Sequence, residues 1–455
     1  MPDKDLLFAA LRRESTPRPP WVPFVGVHGG CLIGVSAPEY LRSSQRIVQG
    51  LRRANELYRP DGLPVIFDLQ MKAEVLGCEL RWAEEVPPSV ASHPLIAGGL
   101  GDLPPFDTGA GRFPVAAAVL RELKKDVGHK TALYGLITGP FTLTAHLRGH
   151  ELFLDMIMHP EQVHETMNYC ASIACATARF YREHGADVVA IVDPMTSQIS
   201  PEHFREFVAP YVNRVFDCVR DLGAFSSLFV CGDATRNLEA MCRTTCDNLQ
   251  IDENISLPEL RSLAQQNNKS FGGNMRLTTV LLLGTENDAK LDAIRCIDQG
   301  GDTGFVLAPG CDLPYGTPPA NLIAVAQMVH DEYQRDVART LTASSLDRFD
   351  DITLPDYDAL DAVTLDVVTL DSAACPPCLY MVQAVRGAIE KVAVDVVFRE
   401  HKIRHRDGIG HMLRLGVRHI PTICIDGKPT YESVIPDVET LARAIEARHR
   451  EKRGQ

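Results

Sequence analysis

The larger, N-terminal part of this chain alternates short apolar, β-rich runs with segments of helical length. This alternation predicts βα units around a parallel sheet, because parallel neighbours need a crossover connection that a helix usually supplies. The runs that qualify as strands are residues 21–28, 64–69, 132–138, 187–194, 226–231, 248–252, 270–275 and 304–308. Eight strands close a (β/α)8 TIM barrel, so we predict that α/β fold. A doubly wound open sheet stays the alternative, since a linear sequence does not show closure.

A short acidic stretch divides the chain into two parts. Residues 347–361 carry six aspartates and one arginine without sustained periodicity, which is typical of a solvated linker. We therefore predict a barrel domain over residues 1–345, an acidic linker over 346–362 and a small α/β domain over 363–448.

Charge and hydropathy argue against two classes of partner. The chain holds 46 Lys and Arg against 59 Asp and Glu, and a net charge of −13 disfavours binding to the phosphate backbone of nucleic acid. No run approaches the roughly 18 apolar residues of a membrane span, and the N-terminus lacks the apolar core of a secretory signal. We expect a cytoplasmic protein that binds neither nucleic acid nor membrane and whose 13 cysteines are reduced, with oligomer formation left open.

The sharpest local motif is Cys375-Pro376-Pro377-Cys378, between an apolar β run and a helical segment. At a helix N-terminus the free N–H groups and the helix dipole favour a thiolate, and a second thiol one turn later can resolve a mixed disulfide. Half of a zinc site is the alternative, although no second pair of cysteines or histidines follows at zinc spacing. We predict a redox dithiol.

The elements expected after the linker follow the order β-α-β-α-β-β-α, and His419-Ile420-Pro421-Thr422 opens the third of these strands. Together with the dithiol, these features resemble the thioredoxin and glutaredoxin superfamily, which carries a cis-proline beside its active cysteines. The resemblance implies a thioredoxin-like domain. In that domain Cys375 and Cys378 exchange disulfides, and Pro421 presents backbone to the substrate.

In a TIM barrel the loops that follow the strands build the site. Cys231 precedes Gly232 and Cys311 follows Gly310, each near the end of a predicted strand. Two thiolates, one nitrogen or oxygen ligand and one open position make a catalytic zinc site, whereas the alternative is burial as small hydrophobes. Packing is also our interpretation of the remaining cysteines: Cys31, Cys78, Cys170, Cys175, Cys218, Cys242, Cys246, Cys296 and Cys424.

Short stretches within residues 1–335 carry a second resemblance. They are Leu7–Arg13, Arg18–Pro20, Ala73–Cys78, Asp193–Pro194, Ile199–Glu202, Val230–Gly232, Asp252–Glu253 and Leu307–Cys311. Together they resemble the uroporphyrinogen decarboxylase superfamily, and within it the corrinoid-dependent methyltransferases that methylate a thiol such as coenzyme M. That branch holds zinc with a His-x-Cys motif and a distant cysteine, which implies Cys231 and Cys311 as two of the ligands.

The histidine of that motif is Phe229 here, and a phenyl ring donates no ligand. Residues i and i+2 of a strand face the same side, so a different group has to complete any metal site. The candidates at neighbouring strand ends are His28, Asp193 and Glu253. We predict His28 as the further metal ligand and the two carboxylates as catalytic groups.

The resemblance implies methyl transfer between a corrinoid such as methylcobalamin, carried on a partner protein, and a small thiol or methylated small molecule, with zinc activating the thiol. The fused dithiol suggests that Cys375 and Cys378 keep the acceptor or the barrel thiols reduced. One alternative is a thiol-disulfide oxidoreductase whose barrel binds a substrate. Another is a uroporphyrinogen decarboxylase, but Val25–Cys31 lacks the arginine expected to hold the substrate's carboxylates.

Overall fold

The computed structural model describes residues 3–339, 352–373, 375–417 and 419–453. The chain divides into two compact units, Met1–Ser344 and Ser345–Gln455, each with its own sheet and its own apolar core.

The linker predicted at residues 346–362 falls partly outside the described residues, which resume at residue 352. From there on the chain packs within the second unit. Ile352 is buried, and the Tyr357 hydroxyl donates a hydrogen bond to Asp366 at 2.7 Å. The described part of the acidic stretch therefore makes contacts within the second unit, and a linker over residues 346–362 stays a prediction.

A parallel sheet of seven strands forms the centre of the first unit. The strands of this unit are β1 (Gly62–Pro64), β2 (Leu80–Arg81), β3 (Ser89–Val90), β4 (Ala132–Thr138), β5 (Val188–Val192), β6 (Phe225–Val230), β7 (Asn248–Ile251), β8 (Ser270–Met275) and β9 (Phe305–Pro309). The order in the sheet is β1-β4-β5-β6-β7-β8-β9, and β2 pairs with β3 as a separate antiparallel ribbon. Because the seven strands run in parallel, their carboxyl ends meet at one edge.

Helices connect these strands. They are α1 (Lys4–Leu11), α2 (His28–Cys31), α3 (Ala37–Leu41), α4 (Ser44–Tyr58), α5 (Met71–Val75), α6 (Phe113–Asp126), α7 (Pro140–Arg148), α8 (Glu151–Met158), α9 (Pro160–Glu183), α10 (Pro201–His203), α11 (Ala209–Asp221), α12 (Leu238–Cys242), α13 (Leu257–Gln266), α14 (Glu286–Gly300), α15 (Pro319–His330) and α16 (Glu332–Ala338). Single 3-10 turns lie at Pro94–Ile96, Leu100–Asp102, Pro194–Gln198 and Thr235–Asn237, and π-helical turns at Phe204–Val208 and Leu277–Leu282. Local sequence sets several starts: Ser200 accepts the His203 N–H ahead of α10, and Thr285 and Asp288 form a capping box at α14.

The stretch 21–28 does not form the eighth strand that the sequence predicts. It makes one parallel bridge, between Trp21 and Leu307, and then enters α2. Prolines explain the difference, because Pro20 and Pro23 lack the N–H that a regular ladder needs.

This bridged segment nevertheless joins the two edges of the sheet. The Val22 N–H donates to the Leu307 carbonyl of β9 at 3.0 Å, and the Asp61 N–H, just before β1, donates to the Trp21 carbonyl at 2.9 Å. Seven strands and one proline-rich segment therefore surround the interior in a TIM-like arrangement.

Apolar side chains fill the space that the sheet encloses. The core residues are Leu7, Ala10, Leu11, Val22, Phe24, Phe67, Ala132, Tyr134, Leu136, Val188, Ala190, Val192, Phe229, Val306 and Ala308. The first three come from α1, and Cys231 and Cys311 pack against the same core. The interior is thus a packed core rather than a channel, as TIM barrels require.

The second unit has a four-stranded mixed sheet covered by helices. Its strands are β10 (Val363–Thr369), β11 (Val396–Lys402), β12 (Thr422–Ile425) and β13 (Lys428–Glu432), and its helices are α17 (Pro376–Lys391), α18 (Arg406–Arg414) and α19 (Val438–Lys452). The sheet order is β11-β10-β12-β13, with β10 parallel to β11 and the other pairs antiparallel. The order of elements along the chain is the one that the sequence predicts. No helix in the described parts of either unit is long and apolar enough to cross a membrane.

The carboxylate of Asp61 ties the closing segment of the first unit to the sheet. It is fully buried and accepts two hydrogen bonds from the Arg18 guanidinium, at 2.7 and 2.8 Å. It also accepts the N–H groups of Trp21 at 2.8 Å and Asp3 at 2.7 Å. One side chain thus holds the bridging segment, the start of α1 and the approach to β1 together.

We expect Asp61→Ala to lower the free energy of unfolding of the first unit by about 3–5 kcal/mol, because it leaves a largely buried guanidinium without its carboxylate. Tryptophan fluorescence during urea unfolding of the full chain isolates this unit, since Trp21 and Trp82 are the two tryptophans and both lie in it. Glu122→Ala, which removes an exposed partner of Arg52, is the control and should cost less than about 1 kcal/mol. Equal effects of the two substitutions would contradict the role assigned to Asp61.

Candidate functional site

Two cysteines meet at the carboxyl edge of the first unit's sheet. Cys231 directly follows β6, and Cys311 follows β9 after Gly310. The Cys311 thiol is near enough to Cys231 to oppose its ionisation, although β6 and β9 are separated by two strands in the sheet. Both side chains are half-buried. The curl of the sheet is what brings these two strand ends together.

The surroundings of the thiol pair disfavour a negative charge on Cys231. The hydrogen bond with Cys311 raises the pKa of Cys231 well above its ordinary value, and burial adds to that effect. The negative charges of Asp252 and Asp312 raise the pKa further. Cys231 therefore stays a neutral thiol at physiological pH unless a cation joins it, because a bound cation inverts this balance.

Asp252 fixes the backbone beside the thiol pair. It follows β7, and one of its oxygens accepts the Gly232 N–H at 2.8 Å. The other oxygen accepts the N–H and the side-chain amide of Asn254, at 3.0 and 2.7 Å. Burial raises the pKa of Asp252. This carboxyl group therefore both positions the residue after Cys231 and contributes negative potential to the site.

Asp312 is a site residue that the sequence analysis missed. Burial raises the pKa of its carboxyl group well above the ordinary value. Its Oδ1 atom is buried and has no hydrogen-bond partner in the described part of the chain. A Cβ atom on Gly26 would lie 2.4 Å from both carboxyl oxygens, so only glycine leaves room for them. The one signal in the sequence was its position next to Cys311.

Phe229 lies two residues before Cys231 on β6 and is fully buried. Its ring stacks on Phe24 with centroids 4.7 Å apart and meets the edge of Phe67 at 6.2 Å. The position where the resemblance expects a ligating histidine is therefore part of the apolar core.

His28 is buried at the start of α2 with both ring nitrogens engaged. Nδ1 donates to the Tyr315 carbonyl at 3.0 Å, and Nε2 accepts from the Tyr58 hydroxyl at 2.7 Å. Burial lowers the pKa of His28 to about 4, so the ring is neutral. Ligation of a metal by His28 stays a prediction, and it requires the hydrogen bond from Tyr58 to break.

Asp193 follows β5 and accepts N–H groups from the first turn of α7, the helix that follows the neighbouring strand β4. One oxygen accepts the N–H and the hydroxyl of Thr142 at 2.7 and 2.6 Å, and the other accepts the Phe141 N–H at 3.3 Å. Burial raises its pKa to about 6, against the effect of these hydrogen bonds. The structure thus brings Asp193 to the predicted edge but gives both oxygens a positioning task.

The backbone of Glu253 packs next to Gly310, the residue before Cys311. A Cβ atom on Gly310, the residue before Cys311, would come within 2.5 Å of the Glu253 nitrogen. One Glu253 carboxyl oxygen accepts the Leu277 N–H. Burial and the charge of Asp252 raise the pKa of Glu253 to about 8. A half-buried carboxyl group with this pKa can accept or release a proton near neutral pH.

The donor set at this edge is incomplete for a metal. Among the residues that the structure describes, no group of three or more His, Cys, Asp or Glu side chains is arranged to hold a metal ion. Cys231, Cys311 and the Asp312 Oδ1 atom, which has no hydrogen-bond partner in the described part of the chain, are donor types that suit zinc. They are not grouped around one ion position, so the chemistry of the donors fits zinc and their arrangement here does not.

The second unit holds a second pair of cysteines. Cys375 is the N-cap of α17, and it forms a disulfide with Cys378 in the first turn. The peptide bond between Ile420 and Pro421 is cis, and Pro421 immediately precedes β12. Because β12 pairs with β10 at Val368 and Thr422, Pro421 lies at the same end of the sheet as the loop that leads to the dithiol.

Comparison with known proteins relates the chain to two kinds of enzyme. A methyltransferase from Methanosarcina mazei superposes with a TM-score of 0.66 at 24% identity, over 72% of this chain and 98% of that one, which shows a shared fold. A methylcobamide:CoM methyltransferase from Methanosarcina acetivorans is 26% identical over 328 residues, 70% of this chain and 95% of that protein. A uroporphyrinogen decarboxylase from Prochlorococcus marinus is 26% identical over 275 residues, 58% of this chain and 77% of that protein.

The family match covers most of the first unit. Residues 2–332 match the family described as Uroporphyrinogen decarboxylase (URO-D), a span that includes the parallel sheet, the thiol pair and the flanking carboxyl groups. The chain therefore belongs to the uroporphyrinogen decarboxylase family.

Proposed function

We propose that the first unit transfers a methyl group between a corrinoid, carried by a separate protein, and a small thiol or similar acceptor. The observation that carries this proposal is the pair of thiols, Cys231 and Cys311, at the edge where such barrels build their sites. The methylcobamide:CoM methyltransferase that this chain matches over 95% of its length supports a methylated corrinoid as donor and a thiol as acceptor.

A zinc ion would offset the groups around Cys231 that oppose its ionisation. The groups that act on Cys231 are a second thiol and two carboxyl groups, all of which oppose its ionisation. Cys231 and Cys311 would hold the ion, with Asp312 as the oxygen donor, since both nitrogens of His28 are engaged. When bound, zinc lowers the pKa of an incoming thiol so that it attacks as a thiolate.

Glu253 is suited to take up the proton that methylation releases. A thiol that becomes a thioether loses its proton, and an ordinary thiol has a pKa of about 8.5. The pKa of Glu253 is raised to about 8, so transfer between the two groups is nearly balanced. The Glu253 backbone packs against Gly310, the residue before Cys311, and this proximity supports the assignment.

The second unit is proposed to be a thioredoxin-like exchange domain. Its sheet order, and a dithiol whose first cysteine caps a helix directly after the central strand β10, support thiol–disulfide exchange. We infer that reduced Cys375 and Cys378 keep the acceptor, or the barrel thiols, from remaining oxidised. Two protein thiols are oxidised to a disulfide while one substrate disulfide becomes two thiols, so electrons and protons balance.

The methyl-transfer proposal is tested by demethylation of methylcobalamin with a panel of small thiols, and by the zinc content of the same sample. We expect zinc near one per chain and activity with at least one thiol. In Cys231→Ala both should be lost, the activity by about a hundredfold or more, because the cation that stabilises the thiolate has one anchor fewer. Cys31→Ser, which changes another half-buried thiol, is the matched control. Metal-free, inactive protein with a working dithiol would favour a thiol-disulfide oxidoreductase instead.

The role of Glu253 predicts a pH profile. Because its pKa is raised to about 8, the carboxylate form grows as the pH rises from 7 to 9, and turnover should rise with it. Glu253→Gln keeps an oxygen for the Leu277 N–H but accepts no proton, so activity should fall about a hundredfold and the rising limb should disappear. An unchanged profile in this variant would rule out Glu253 as the proton acceptor.

The redox link is tested with Cys375→Ser. Turnover of this variant should fall below that of the unaltered chain in oxidising buffer and recover on addition of dithiothreitol, because the nucleophile that restores oxidised thiols is missing. Cys378→Ser should instead accumulate a mixed disulfide on Cys375, since the resolving thiol is absent. Turnover of Cys375→Ser that equals the unaltered chain in oxidising buffer would show that the two chemistries are not coupled.

A further inference from the structure

Two cysteines of the outer helices form another thiol pair. Cys175 of α9 and Cys218 of α11 meet where these two helices pack, and the Cys218 thiol acts on the pKa of Cys175. The Cys218 sulfur also lies 3.8 Å from the carbonyl oxygen of Cys175, and the Cys175 sulfur lies 4.0 Å from that of Arg214. The sequence patterns suggested that both residues serve packing alone, but packing does not require two thiols to meet.

The pair lies away from the carboxyl edge where the candidate site is built. Helix α11 runs back from that edge towards the amino edge, and Cys218 is in its last turn. None of the residues assigned to methyl transfer takes part in the contact. The pair is therefore independent of the function proposed above.

Exposure and charge make the two sulfurs unequal. Cys175 is buried, whereas Cys218 is half-buried and is the sulfur that a reagent reaches first. Burial and the contact with Cys218 raise the pKa of Cys175 to about 11, while the positive charges of Arg179 and Arg214 oppose that rise. Once Cys218 is bonded to another sulfur, it no longer raises the pKa of Cys175. Burial is then the one remaining cause named here that raises this pKa, and the two arginines lower it. Cationic, partly exposed surroundings are those in which cysteines react with disulfides.

We propose that Cys175 and Cys218 are a redox modification site, which closes to a reversible disulfide between α9 and α11 by exchange with an oxidised disulfide. The Cys218 thiolate attacks one sulfur of the oxidant, the oxidant's S–S bond breaks, and the other sulfur leaves as a thiolate. The Cys175 thiolate then attacks the Cys218 sulfur and releases the second thiolate. Two protein thiols lose two electrons, the oxidant gains them, and the two thiol protons pass to the released thiolates.

The oxidant is defined by its chemistry, and two sources carry it. One is a small-molecule disulfide, for which oxidised glutathione is the probe. The other is the Cys375–Cys378 disulfide of the second unit. A Cys375→Ser, Cys378→Ser double variant separates them, because it removes the second source and leaves the first.

The experiment equilibrates the full chain without oxygen in a series of glutathione buffers, followed by alkylation, digestion and mass spectrometry without reductant. The ratio of linked to alkylated Cys175 and Cys218 peptides should rise about tenfold for each 30 mV by which the buffer becomes more oxidising, the slope of a two-electron couple. Cys170, on the same helix but paired with the Thr144 hydroxyl, is the internal control and should stay alkylated. In Cys218→Ser, Cys175 should stay alkylated as well.

If the Cys175–Cys218 linked peptide forms equally in the unaltered chain and in the double variant, the small-molecule disulfide is sufficient to oxidise the pair. Slower formation in the double variant assigns a relay to Cys375 and Cys378. Alkylated Cys175 and Cys218 in buffers that fully oxidise Cys375 and Cys378 would overturn the proposal. Labelling of Cys170 that follows the same curve would also overturn it. Methyl transfer plays no part in these readouts, so failure of that function would leave them unchanged.

Discussion

The first unit depends on one buried carboxylate that closes its sheet. β1 and β9 would be free edges if the segment at Trp21 did not bond to both, and Asp61 anchors that segment through the Arg18 guanidinium and the Trp21 N–H. Closure has a chemical consequence at the opposite end. A flat sheet would place the ends of β6 and β9 about three strand spacings apart, roughly 14 Å, whereas here the Cys311 thiol is close enough to raise the pKa of Cys231. The thiol pair is therefore a product of the fold's closure rather than of any local motif.

Periodicity predicted most of the fold because the strands are apolar and short. Six of the eight predicted runs lie on strands of the parallel sheet, and the element order of the second unit agrees with the structure. A seventh run, 64–69, shares only Pro64 with β1. The run at 21–28 is not a strand because Pro20 and Pro23 leave the apolar pattern in place but have no N–H to donate to a ladder.

The sequence predicted which residues lie at the strand ends of the site, but not how their polar atoms are bonded. Cys231, Cys311, Asp193 and Glu253 lie at the edge that barrel topology indicates, but the sequence did not show which of their polar atoms would be free. Both Asp193 oxygens accept hydrogen bonds from α7. The donors, Phe141 and Thr142, are far from Asp193 in the sequence, so no local motif indicates this pairing. Asp312 was missed for the same reason: its importance arises from an oxygen without a partner, a property of the folded chain.

Backbone packing shapes the charge distribution of the site. Gly26 lets the Asp312 carboxyl approach, Gly310 lets the Glu253 backbone approach Cys311, and the Gly232 N–H holds Asp252 in place. These approaches concentrate acidic groups around two thiols that themselves ionise to anions. Burial then raises the pKa of each carboxyl group in this set and keeps protons on the cluster. A site built in this way favours a cation or the uptake of protons over binding an anion, which agrees with thiol activation by a metal and disagrees with holding a substrate rich in carboxylates.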